Sequence, residues 1–362
     1  MTIIPLERIS EFDEIIDVRS PSEYAQDHIP GAINLPVLDD AERARVGTIY
    51  VQGSKVEARK IGATLVARNS ANHLENHLRD KDGSYRPLVY CWRGGQRSGS
   101  FAIILKQIGW RVGVLDGGYR NYRNAVWDQL YNQDFPTRVI LLDGNTGTAK
   151  TALLGLLAER GFQVIDLEGL ANHRGSLFGA AADVQPSQKA FETRLAAACG
   201  RLDPKRPVVV EAESSKIGRC TLPPSLLGAM RRAPRIVLRS SLDQRAHYVT
   251  HTYADLVADK DRLVATLGRL RPYHAAEQVK AWTDLAMTGR FEQLAGELIA
   301  MHYDPRYAKQ RARKSGQETV FIDVPDLSPD GLVCAANDIG QTVKGMSDRA
   351  MRPASAPVAM QL

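Results

Sequence analysis

The sequence predicts an α/β protein of two successive parallel-sheet domains, the second carrying a helical extension. Three observations predict it. Through residues 1–131, short apolar runs at Glu14–Val18, Leu88–Tyr90 and Val112–Leu115 alternate with helical stretches, the pattern of a parallel sheet covered by helices. After a linker at Asn132–Pro136 the alternation restarts, with strands expected at Arg138–Asp143, Gln163–Leu167, Pro207–Val210, Arg235–Arg239 and Thr319–Val324. At 362 residues with 44% hydrophobic content, the chain is too long for one ordinary domain and apolar enough for two cores. The expected boundaries are 1–131 and 137–330, followed by a disordered tail over 347–362, rich in Ala, Pro, Ser and Met.

In the first domain the strand Leu88-Val89-Tyr90 ends at Cys91, just before a loop rich in Gly and Arg and a helical run from Phe101 to Ile108. A cysteine between a strand end and a helix N-terminus sits where backbone amides converge and the helix dipole favours negative charge. Its thiolate is therefore stabilised, and it is the nucleophilic form. Gly94 and Gly95 let the loop curl so that amides face the sulfur, while Arg93 and Arg97 add fixed positive charge.

Ile15-Ile16-Asp17-Val18-Arg19, Glu23-Tyr24, and His28 to Pro36 resemble the rhodanese domain signature. Cys91-Trp92-Arg93-Gly94-Gly95-Gln96-Arg97-Ser98 resembles that family's active-site loop. The resemblance implies that Cys91 carries a chalcogen atom as a persulfide, supported by the loop through Ser98. Asp17 and Arg19 read as polar anchors placed to pair with each other or with neighbouring loops.

The second domain opens with a strand followed by Gly144-Asn145-Thr146-Gly147-Thr148-Ala149-Lys150-Thr151 and a leucine-rich helix. This is similar to the P-loop G-x-x-x-x-G-K-[ST] of NTPase-like domains, in the strand-before, helix-after context that the motif needs. Backbone amides of Gly144 to Thr148 cradle phosphates in such a loop, Lys150 adds a cation, and Thr151 offers a magnesium ligand. Ala149 stands where the pattern has Gly. Its methyl group is expected to crowd the phosphates or to oppose a backbone geometry suited to glycine.

At strand ends further on lie Asp166, Glu168, His173 and Arg174, then Glu211 and Glu213. In an open parallel sheet these positions border the ligand crevice. Glu211 and Glu213, two apart on a strand, are expected on one side of it. From Leu242 to about Met301 the pattern is helical; His247, His251 and Tyr253 fall about one turn apart and read as a polar helix face.

Composition narrows the class. The four cysteines, Cys91, Cys199, Cys220 and Cys334, lack metal or disulfide spacing, which fits a reducing cytosol. No apolar stretch approaches the roughly 20 residues of a membrane span, so a cytoplasmic protein is expected. A net charge of +6 permits a nucleic-acid partner. Basic side chains gather at Arg231, Arg232, Arg235 and Arg239, and at Arg306, Lys309, Arg311, Arg313 and Lys314 around Tyr307. For the second cluster, nucleic-acid phosphate contact with stacking and a solvated helix face explain the pattern equally.

The ordered set, a rhodanese-like loop, a P-loop, Asp166 to Ser176, Glu211 to Ser214 and Tyr303-Asp304-Pro305, closely resembles the bacterial tRNA 2-selenouridine synthase family. That resemblance covers Ile15 to about Val324. It implies replacement of sulfur by selenium in the wobble 2-thiouridine of tRNA, with selenophosphate as donor and S-geranylation by geranyl diphosphate. No tightly bound cofactor is implied, and the enzyme that makes selenophosphate is an expected partner. Two other readings of the residues predict different behaviour. A sulfurtransferase fused to a kinase or ligase hydrolyses nucleotide through Lys150; a non-catalytic RNA-binding protein has an inert Cys91.

Overall fold

The computed structural model describes residues 2–175, 178, 184–312 and 317–351. The chain forms two compact units, Met1–Asp134 with Pro186–Gly200, and Phe135–Gln185 with Arg201–Leu362. The second stretch of the first unit was not expected. Ser187 caps the helix Gln188–Cys199, its Oγ accepting from the Ala190 amide at 3.1 Å. The helix buries Glu192, which pairs with Arg123 and accepts from Tyr131 Oη at 2.7 Å. Thr193 donates to Asp27 at 2.9 Å. A contiguous second domain from 137 to 330 is thus corrected, because this helix satisfies buried charge in the first unit.

The first unit is built on five parallel strands, β1 (Thr2–Ile4), β2 (Glu14–Asp17), β3 (Ile33–Asn34), β4 (Pro87–Tyr90) and β5 (Gly113–Leu115), in the order β1-β5-β4-β2-β3. The apolar β4 is central and wholly buried, as an unbroken apolar strand in a parallel sheet must be. Its carboxyl end delivers Cys91. Two helices, Asp40–Gln52 and Lys55–Glu75, lie between β3 and β4 in the chain. The first starts with a reciprocal Asp39–Glu42 capping box, which satisfies two otherwise unpaired amides. Asp17 and Arg19 do pair, fully buried, through Nη2–Oδ2 at 2.6 Å, and the guanidinium lies 3.8 Å from the Tyr119 ring centroid.

The second unit has five parallel strands, β6 (Val139–Gly144), β7 (Gln163–Ile165), β8 (Val208–Glu211), β11 (Arg235–Arg239) and β12 (Thr319–Asp323), in the order β12-β11-β6-β8-β7. A small antiparallel pair, β9 (Lys216–Ile217) and β10 (Cys220–Thr221), follows β8. The helix Lys150–Glu159 packs Leu153, Leu154 and Leu157 against Ile140, Leu142, Val209 and Ile236. The helical extension holds a second core around the fully buried Trp282.

The last helix, Pro329–Met351, corrects both the expected end at 330 and the expected tail from 347. Leu332, Ala336, Ile339, Val343 and Met346 recur at helical spacing and pack on the sheet core. Residues 352–362 of that expected tail lie outside the described residues. Among the described residues no helix is long and apolar enough to cross a membrane.

Candidate functional site

In the first unit, Cys91 is 3% exposed. Its Sγ lies 3.3 Å from the Gly95 amide, which donates to it, and 3.2 Å from Ser98 Oγ. Burial alone raises a thiol's pKa. Here the Ser98 hydroxyl and amide, the Arg93 amide and the Arg97 charge outweigh burial and hold the thiol below its usual range. Arg97 is itself held by Glu23 at 2.8 Å, and Arg43 meets the same carboxylate at 2.9 Å. Arg93 contributes its backbone, while its side chain is exposed. Gly94 has φ +66, as the curled loop requires.

Gly118 is a support of this loop that sequence reasoning missed. At φ +58, a Cβ on Gly118 would stand 2.3 Å from the Cys91 carbonyl oxygen and 2.5 Å from the Gly94 amide nitrogen. The Tyr119 and Arg120 amides donate to the Cys91 and Trp92 carbonyls, both at 2.9 Å. The turn after β5 therefore supports the thiol loop from below. The signal was the Gly117-Gly118 pair directly after a strand.

The second unit places a cavity of about 380 Å³ over the loop after β6. Thr146 to Thr151 line it, together with Asp166, Glu168, His173, Arg174 and Glu213. Gly144 and Asn145 stand behind. Asn145 donates to Asp304 at 2.8 Å, and Arg245 holds the same carboxylate through two bonds of 2.9 Å. A Cβ on Gly147 (φ +86) would lie 2.8 Å from the Arg245 carbonyl, so this glycine is obligatory. Ala149 adopts the left-handed geometry after all, at φ 57 and ψ 29. Its methyl group joins the leucine core behind the loop, which corrects the expectation that it opposes this backbone.

Lys150 Nζ donates to the Gly144 carbonyl at 2.9 Å. Burial draws its pKa down, but Tyr307, Glu213, Glu168 and Asp143 outweigh that and raise it. Thr151 Oγ1 donates to Glu168 Oε2 at 3.0 Å. Burial, then the charge of Glu213, pushes Glu168 up to about 7, against the pull of Lys150. Gly175 passes close above these carboxylates: a Cβ there would lie 2.4 Å from Glu168 Oε1 and 3.0 Å from Glu213 Oε1.

Glu211 and Glu213 do not share a strand face. β8 ends at Glu211, which is fully buried, accepts from the Glu168 amide at 2.6 Å, and is raised well above the carboxylate range, first by burial. Its Oε2 has no hydrogen-bond partner among the described residues. Glu213, beyond the strand, reaches the cavity. Asp166 caps the next helix through the Gly169 amide at 2.8 Å. His173 accepts from the Gly175 amide at 3.1 Å, and burial lowers its pKa. Arg174 pairs with Asp255 at 3.0 Å and lies over the Tyr253 ring. Tyr248, Tyr253 and Tyr307 also line the walls; Tyr253 was expected on a polar helix face and Tyr307 among the basic side chains, and Tyr248 carried no signal.

The basic segment divides. Arg306 is exposed over the Tyr273 ring, and Lys309 is exposed. Arg311 turns inward to Asp143 at 3.2 Å, beside Arg235 at 2.6 Å from the same carboxylate. Arg235, read as one of a basic cluster and as the start of a strand, is thereby buried. Arg313, Lys314, and Ser176 and Leu177 of the segment after His173 lie outside the described residues. His247 bonds Glu292 at 2.8 Å, and His251 bonds the His247 carbonyl at 2.9 Å.

Comparison with known proteins extends over both units. A rhodanese-like domain model matches residues 6–125, and a model of the tRNA 2-selenouridine synthase AAA domain matches residues 137–269. The tRNA 2-selenouridine synthase of Verminephrobacter eiseniae is 34% identical over 351 residues, covering 86% of this chain and 92% of its own length. Its counterpart in Pseudomonas syringae pv. tomato is 33% identical over 335 residues, covering 84% and 90%. That of Alcanivorax borkumensis is 33% identical over 331 residues, covering 83% and 90%. Identity of this level across both units and nearly the whole of each relative shows that the chain belongs to the tRNA 2-selenouridine synthase family.

Proposed function

We propose that this chain converts the wobble 2-thiouridine of tRNA to 2-selenouridine in the cytoplasm, with selenophosphate as selenium donor, through an S-geranylated intermediate made from geranyl diphosphate. The observation that carries the reading is the phosphate-loop cavity with Lys150 on its wall, in a chain whose other unit holds a thiolate-poised cysteine. A diphosphate fits the loop amides and Lys150. In the alkylation, the thiocarbonyl sulfur of the base bonds to C1 of the geranyl group, the C1–O bond breaks, and diphosphate leaves. In the exchange, the selenium of selenophosphate bonds to C2 of the base, the C2–S bond breaks, and the geranyl thiolate leaves and takes up a proton; water then cleaves the Se–P bond, phosphate departs and the selenium stays on C2. Cys91 acts in the selenium step, where a stabilised thiolate suits chalcogen handling.

Magnesium fits the donor set beside the loop. The Thr151 hydroxyl and Glu168 carboxylate lie together, with Glu213 lining the same cavity. Among the described residues no three His, Cys, Asp or Glu side chains form a metal cluster by themselves, and magnesium usually takes one or two carboxylates plus phosphates and water. When bound, it would neutralise phosphate charge. Arg306 and Lys309 remain available to tRNA phosphates, and an enzyme that makes selenophosphate is the proposed supplier.

The test is mass spectrometry of nucleosides from thiouridine-bearing tRNA incubated with the protein, geranyl diphosphate and selenophosphate. The expected product is 2-selenouridine. Cys91→Ser should stop selenation and let geranylated tRNA accumulate. Unchanged thiouridine, accompanied by nucleotide hydrolysis that depends on Lys150, would replace this reading with the sulfurtransferase fusion.

A further inference from the structure

Arg269, Leu270, Arg271, Pro272 and Tyr273 turn the chain between two helices of the helical extension, Lys260–Gly268 and Ala276–Met287. Leu270 is wholly buried in the core around Trp282 and anchors the turn. The Tyr273 amide donates to its carbonyl at 2.9 Å. Arg269 and Arg271 are left exposed, and Tyr273 is 62% exposed. The Tyr273 ring is nonetheless held. It meets the ring of buried His302 at 6.0 Å and 64°; His302 bonds His274 at 2.8 Å, and His274 stands edge-on to Trp282 at 4.8 Å. The Arg306 guanidinium, from the helix Asp304–Ala312, lies 4.6 Å from the Tyr273 ring centroid. One position further along that helix, Tyr307 lines the phosphate cavity.

A single exposed ring is ordinary on a protein surface, but the charge around this one is not. Arg174, Arg245 and Arg311 of the same unit are each held by a carboxylate. Arg269, Arg271, Arg306 and Lys309 are exposed and have no carboxylate partner among the described residues. Asp304, two residues before Arg306, is already held by Arg245. Exposed Glu277, the carboxylate nearest to Tyr273 in the chain, is one charge against four.

We infer that this turn and Arg306 form a docking surface for an unpaired loop of RNA, with Tyr273 as the platform on which one base stacks and the four cations on the flanking phosphates. The inference rests on the reading of tRNA as the substrate. Unpaired RNA is recognised by this combination, a splayed base on an aromatic ring and a backbone followed by positive charge. A duplex offers the cations its phosphates but keeps its base faces stacked, and an acidic protein segment offers charge with no base to stack. A ring already fixed by His302 and Arg306 loses little freedom when a base covers it.

Filter binding on the full chain tests this at several salt concentrations, with an RNA stem-loop of the anticodon-arm sequence and a continuous RNA duplex of the same length. Tyr273→Ala should weaken stem-loop binding by about ten- to a hundredfold and leave duplex binding unchanged. Tyr273→Phe, which keeps the ring, should bind the stem-loop as the wild type does. Arg271→Ala should weaken both RNAs and reduce the salt slope by about one. Urea unfolding of Tyr273→Ala should have nearly the wild-type midpoint, so that lost affinity is not lost fold.

Stem-loop binding that Tyr273→Ala leaves unmoved, or that falls equally for the duplex or in Tyr273→Phe, overturns the platform alone. A wild-type chain that binds neither RNA overturns the reading of tRNA as substrate, and the docking surface with it.

Discussion

Replacing Gly118 by Ala tests whether the turn after β5 sets the reactivity of Cys91. The new Cβ would lie 2.3 Å from the Cys91 carbonyl oxygen, where ordinary contact begins near 3.4 Å. The thiol loop must therefore retreat by the difference, 3.4 − 2.3 = 1.1 Å. The left-handed backbone adds about 1–2 kcal/mol for a residue with a side chain, and forced repacking about 1–3 kcal/mol more. A retreat of that size takes the Gly95 amide, now 3.3 Å from Sγ, out of bonding range. A hydrogen bond to a charged group contributes roughly 1.5–3 kcal/mol. Its loss lowers the thiolate population near neutral pH by about ten- to a hundredfold.

The assay is iodoacetamide alkylation across pH, mapped by peptide mass spectrometry. Cys334 is exposed and serves as an internal reference. Cys91 in Gly118→Ala should alkylate ten- to a hundredfold more slowly at pH 7 and recover its rate at higher pH. Ser98→Ala, which removes a hydroxyl and moves no backbone, should slow it in the same direction. Alkylation of a folded Gly118→Ala protein at the wild-type rate and midpoint would refute the reasoning.

Lys150→Ala should stop geranyl transfer before selenation is reached, so no geranylated tRNA accumulates even alongside Cys91→Ser; nucleoside mass spectrometry of the double variant reads this. Glu168 is pushed up to about 7, so the native protein holds a proton there that the unfolded chain releases at lower pH. Its contribution to stability is present at acid pH and lost as pH rises through about 7, and pyrophosphate affinity should fall over the same window as a negative charge appears beside the loop. Calorimetry of Glu168→Gln should show a flatter affinity between pH 6 and 8. Asp304→Ala strands Arg245, whose side chain is 8% exposed; removal of one partner of a buried pair costs about 3–5 kcal/mol, seen as a lowered midpoint in urea unfolding. Ala149→Gly should change stability by less than about 1 kcal/mol, because relief of left-handed strain of about 1–2 kcal/mol is offset by loss of a buried methyl group and a freer unfolded chain.

What could be read from the sequence was whatever depends on neighbours in the chain. Cys91 and its loop, and Gly144 to Thr151, are each a strand end followed at once by a helix start, so residue type and order suffice to place them. For Asp17 and Arg19, two residues apart at a strand end, the sequence left mutual pairing and pairing with neighbouring loops both open, and the structure has the mutual pair. Long-range partners left no such mark. Arg311 and Arg235 read only as members of two basic clusters, and nothing near them in the chain pointed to Asp143, which pairs with both. The helix Gln188–Cys199 falls inside the span expected for the second domain, and only Arg123, Tyr131 and Asp27 reveal where its polar groups are satisfied.

Ala149 shows how a local rule yields to a tertiary one. The phosphate-loop pattern asks for glycine because this position needs a left-handed backbone, and the backbone here is indeed left-handed. The methyl group packs with a leucine core built by the next two turns of helix and by the final helix, which sequence reasoning did not find. Burial there offsets part of the conformational strain. The departure from the pattern is therefore a packing substitution: it leaves the loop geometry in place and ties the phosphate site to a helix some two hundred residues further along the chain.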